Sequence, residues 1–72
     1  MSTILVGVFK IEEQKVQKIL DELKKDFKVT VEQKEPGSGM IDFECTCEEP
    51  TFFWQMGAEF LKRNIVNYHL RT

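Results

Sequence analysis

The sequence predicts an α+β plait: one four-stranded antiparallel sheet carrying two helices on a single face. Three observations predict it. Stretches of alternating or uniformly apolar residues flank two stretches of helical period, in the order strand, helix, strand, strand, helix, strand. A Pro-Gly turn joins the two middle strands. The chain has 72 residues, which is enough for one core and no second domain, so a single domain over residues 1–72 is expected.

Residues 3–9 are apolar on both alternating sets, as in a central strand covered on two sides. Gly7 removes a side chain from one of those faces, which implies close approach of another element there. Val16, Ile19, Leu20, Leu23 and Phe27 then recur at helical spacing within an arc of about 100°. Glu12 and Glu13 sit where the helix N-terminus favours anions, and Lys24 and Lys25 where its C-terminus favours cations. Residues 27–33 alternate strictly, as a half-exposed strand does. Pro36 and Gly37 suit the central positions of a type II turn, followed by Ser38 and Gly39. Residues 41–47 alternate again, with Ile41, Phe43, Cys45 and Cys47 inward. Pro50 suits the first turn of a second helix, which runs to about Arg63 or Asn64. Residues 64–70 read as the closing strand. Right-handed crossovers then give the strand order 4-1-3-2 with both helices on one face. This architecture is similar to the ferredoxin-like βαββαβ plait, a resemblance of topology that implies no activity, since the fold hosts many functions.

Composition narrows the function classes. Apolar residues make up 42% and charged residues 31% of the chain, as in a globular protein. A net charge of −2 gives no electrostatic reason to bind nucleic acid. No apolar run is long enough to cross a bilayer, and residues 1–9 lack the pattern of a signal peptide. Cys45 and Cys47 lie two apart on a strand, with Cα atoms about 6.5–7 Å apart, at the limit for a bridge. Unbridged thiols and no export signal point to a reducing, cytoplasmic location. At this size folding buries about 60–65% of the unfolded surface, so self-association is a natural source of added stability.

The second helix carries more apolar surface than one small core absorbs. Placed every 100°, Phe53, Gly57, Phe60 and Leu61 form one contiguous face, with Trp54 and Ala58 on one flank and Met56 on the other. The arc is about 200° wide, roughly twice that of the first helix. Phe52 falls outside it, beside Glu59 and Arg63. The expectation is that Phe53, Gly57, Phe60 and Leu61 enter the core. Phe52, Trp54 and Met56 then anchor a docking surface rimmed by Glu59, Lys62 and Arg63.

The other constellations carry less. Cys45, Cys47 and His69 are the residues that most resemble metal ligands, but two thiols and one imidazole do not complete a tetrahedron. The alternation turns both cysteines inward, where they act as small hydrophobes. The outward positions of the sheet include Thr30, Glu32, Asp42, Glu44, Asn67 and His69. A plait that binds RNA there needs aromatics and cations on its central strands, and Asp42 and Glu44 would repel phosphate. Asp42 and Glu44 also lack the contrasting environments of an acid/base pair. No nucleophile has a base beside it. The turn at residues 36–39 lacks the lysine and the following helix of a phosphate loop. The first strand-to-helix loop holds Lys10, Ile11 and Glu12 rather than the arginine an acyl-phosphate hydrolase requires.

The function expected is therefore a small, non-catalytic interaction or regulatory module, without cofactor, docking through its second helix on a protein partner or a second copy of itself. Nucleic acid and membrane are not expected partners. A virus-encoded inhibitor would fit this description. The alternatives are a ligand pocket between helices and sheet near Gly7 and Gly57, or thiol or metal chemistry at Cys45 and Cys47.

Overall fold

A computed structural model describes residues 2–71. Strand β1 (Ser2–Phe9) leads through a 3-10 turn (Lys10–Glu12) into helix α1 (Glu13–Leu23). Strands β2 (Val29–Gly37) and β3 (Met40–Cys47) form a hairpin, followed by helix α2 (Pro50–Lys62) and strand β4 (Tyr68–Arg71). The sheet is antiparallel throughout in the order β2-β3-β1-β4, which is the expected 4-1-3-2 order read from the other edge. The α+β plait is thus the observed fold.

Alternation along the strands sorts each side chain onto one of two faces. Val6 and Val8 of β1, with Ile41, Phe43, Cys45 and Cys47 of β3, turn toward the helices and are buried. Val16, Ile19, Leu20 and Leu23 of α1 close over them, the stripe that helical spacing predicts. The opposite side of α1 is charged and exposed at Lys15, Lys18 and Asp21. Phe27, placed by sequence at the junction of helix and strand, belongs to neither and packs edge-on against Phe52 at a centroid distance of 5.8 Å.

The β2–β3 turn differs from expectation. Gly37 pairs with Met40, leaving Ser38 and Gly39 as a two-residue loop with φ of 59° and 74°. Positive φ at both loop positions is what a type I′ turn requires, and its twist matches that of a hairpin better than type II. Pro36 accordingly lies in β2, an edge strand, beside a register irregularity between Lys34 and Gly37. Its missing N–H is tolerated there.

The closing strand starts at Tyr68 rather than Asn64. Asn64 adopts φ 58° and ends α2 as its left-handed cap. The Asn64 N–H donates to the Leu61 carbonyl at 3.2 Å, and the Ile65 N–H to the Phe60 carbonyl at 2.9 Å. These are the two bonds of a Schellman motif, with Ile65 and Phe60 as its apolar pair. Both are buried. The chain turns back at this point, and Tyr68 then packs edge-on against Phe60 at 4.9 Å.

Candidate functional site: the two faces of helix α2

Helix α2 is apolar on opposite sides. Phe52, Met56 and Phe60, spaced i, i+4 and i+8, are the residues it sends into the core. Phe52 is 0% and Met56 2% exposed, which corrects their expected place on a docking surface. Phe52 is enclosed edge-on by Phe27 and by Phe53, whose ring centroid lies 5.0 Å away. Phe53 and Gly57 are half-buried at the boundary of this face. Trp54 is 75% and Leu61 72% exposed, so Leu61 lies outside the core in which the sequence placed it. With Ala58, also exposed, they form a stripe on the side of the helix opposite the Phe52–Met56–Phe60 row.

Gly57 flanks this outer stripe, at its border with the inner face. A Cβ built there meets nothing within 4 Å outside the helix backbone among the described residues, so the fold of one chain does not require glycine. Glycine in a helix interior costs about 1 kcal/mol relative to alanine.

The expected charged rim is engaged elsewhere. The Arg63 guanidinium reaches Glu22 of α1 at 3.1 Å and Glu59 at 3.5 Å. Glu59 also accepts from Lys62 at 3.4 Å. Arg63 and Glu59 thus tie α2 to α1. Such pairs contribute about 0–1 kcal/mol each and mainly fix helix orientation.

The thiols and His69 are on different sides of the sheet. Cys45 and Cys47 are buried beneath the helices, whereas His69 pairs with Gly7 and faces away from them. They cannot share one ligand set. No group of three His, Cys, Asp or Glu among the described residues is placed to hold a metal ion. Burial pushes the Cys45 thiol from 9.0 up to about 11, against the opposing pull of Lys24. Its thiolate is therefore about 100-fold scarcer near neutral pH than that of an exposed cysteine. Iodoacetamide is expected to modify Cys45 in the folded protein far more slowly than in urea. Because the folded value is raised, the associated stability is complete below pH 9 and is lost as pH rises toward 11. Cys45→Val should remove that part of the alkaline destabilisation, seen as a flatter melting temperature between these pH values.

The open face of the sheet holds a cleft of about 420 Å³, lined by Gly7, Ser38, Met40, Asp42, His69 and Arg71 among others. Gly7 therefore does border a cavity, but on the face away from the helices, and Gly57 is not part of it. Across the sheet, Lys34, Asp42, Gly7 and His69 stand in one register row. Asp42 is 8% exposed and accepts from the Arg71 guanidinium at 3.0 Å. Lys34 reaches Glu44 at 3.3 Å, and the Thr3 and Thr46 hydroxyls meet at 3.0 Å. The face thus carries three separate polar pairs.

Comparison with known proteins gave no match: neither a family model, nor a curated protein, nor a solved structure resembles the chain closely enough to assign it. No helix among the described residues is long and apolar enough to cross a membrane.

Proposed function

We propose that this chain is a non-catalytic protein-interaction module that docks through the outer face of α2, with Trp54 and Leu61 as its anchors. One observation carries the reading: an internally supported helix presents a second apolar face, Trp54, Ala58 and Leu61, bordered by a glycine with no close neighbour in its own fold. Tryptophan is among the side chains that most often dominate binding energy, and contiguous exposed apolar area on so small a domain favours a partner surface. A reducing, cytoplasmic setting belongs to the same reading, supported by two unbridged, buried thiols.

The test is affinity capture from the source cell with immobilised wild-type chain beside Trp54→Asp and Leu61→Asp chains. Both positions are solvent-facing, so both variants should unfold cooperatively like wild type. Each is expected to retain about 30-fold less partner, the equivalent of a 2 kcal/mol anchor. An unchanged set of captured proteins at unchanged yield would sink the reading.

A further inference from the structure

We propose that the outer face of α2 receives a second copy of this chain, the two helices lying antiparallel about a two-fold axis between Gly57 and Ala58. The proposal rests on that face being a docking face and names its occupant.

A two-fold interface uses the same patch on both partners, so the patch must complement itself. Along the outer stripe and its border the side chains run large, small, small, large: Trp54, Gly57, Ala58, Leu61. An axis midway between Gly57 and Ala58 sets Trp54 of each copy against Leu61 of the other, and the two small residues against each other at the crossing. The absence of a Cβ at Gly57 then has a purpose. It lets the two helix backbones approach where any larger side chain would hold them apart.

Charge selects the antiparallel arrangement. Glu48 and Glu49, both exposed, precede the helix, and neither has an ion-pair partner among the described residues. Lys62, exposed and paired only with Glu59 of its own helix at 3.4 Å, closes it. Antiparallel packing brings Lys62 toward the acidic end of the other copy, whereas parallel packing sets Glu48 and Glu49 beside their own images. The helix dipoles oppose one another in the same sense. Helix α1 cannot substitute, because its outer side is polar throughout and mostly charged. Thirteen residues span about 20 Å, so the contact is small and a dissociation constant in the micromolar range is expected.

Sedimentation equilibrium of the full chain from about 1 to 500 μM should show a monomer–dimer equilibrium of that strength. Gly57→Leu should weaken it at least about tenfold while leaving the melting temperature of the dilute monomer unchanged or raised, since leucine is the better helix former. Ala58→Cys should oxidise to a covalent dimer. Thr51→Cys should not, because the axis places its two copies about 20 Å apart. The native cysteines are buried and do not compete. A wild-type monomer over the whole range, a dimer indifferent to Gly57→Leu, or equal cross-linking at positions 51 and 58 would each overturn the proposal. A monomer that still captures a foreign protein in a Trp54-dependent way removes the second copy and leaves the docking face. A monomer whose capture ignores Trp54 removes both.

Discussion

Replacing Phe52 by alanine is expected to remove a large share of the protein's stability at 25 °C. The ring is fully buried, with Phe27 and Phe53 edge-on to it, and truncating such a ring costs about 3–5 kcal/mol. A domain of 72 residues has about 4–11 kcal/mol in total, so the loss is a large share of what holds it folded. Trp54→Ala, two positions along the same helix, should change stability by no more than about 0.5 kcal/mol. Urea unfolding at a concentration below any self-association measures both. A mild effect at Phe52 together with a severe one at Trp54 would mean that α2 lies in the opposite orientation on the sheet, which would remove the basis of the docking face as well.

The difference between those two aromatics shows what the sequence of α2 conceals. A helical wheel fixes the angles between side chains but not which sector meets the sheet. The apolar arc of α2 is centred on Gly57, which offers a core no volume; Met56 and Phe60 at one edge of the arc go inward instead, together with Phe52 just beyond that edge. Their spacing of four is visible in the sequence. What selects Phe52 is a tertiary contact, the ring of Phe27 arriving from the end of α1. By contrast α1 has a single apolar stripe, and its four buried residues were all legible.

Strand β3 was legible for a similar reason: its alternation leaves one inward set, and register follows from it. Strand β1, apolar on both sets, reads as covered on two sides, but the helices cover only the Val6 and Val8 side, and Phe9 is 48% exposed. The hairpin and the closing strand depended on backbone chemistry at single residues. The left-handed positions Ser38, Gly39 and Asn64 decide the turn type and the late start of β4. Serine and asparagine do not announce that conformation as glycine does. The candidate site had a readable ingredient, surplus apolar surface on α2. The division of that surface between core and solvent was not readable.

Gly7 should behave in the opposite way from Gly57. A Cβ at Gly7 would lie 2.9 Å from Asp42 Oδ1, closer than ordinary contact allows. A carboxylate at the end of a long side chain would move aside. Asp42 is short, almost buried and held by Arg71 at 3.0 Å, so displacing it means weakening that pair or bending the central strands. Gly7→Ala is expected to destabilise the fold by about 1–3 kcal/mol, the usual cost of overpacking. In an Asp42→Ala background the obstructing oxygen is gone, and the same substitution should be neutral or stabilising by up to about 1 kcal/mol, because alanine loses less backbone freedom on folding than glycine. A double-mutant cycle should therefore return a coupling of at least about 1 kcal/mol between positions 7 and 42. Additive losses would mean that Gly7 is needed for some reason other than room for the Asp42 carboxylate. Coupled losses would establish that Gly7 leaves room for the Asp42 carboxylate, a structural requirement of the single chain. Gly57 has no such internal partner, so a coupling that appears at position 7 within the monomer should appear at position 57 only between copies.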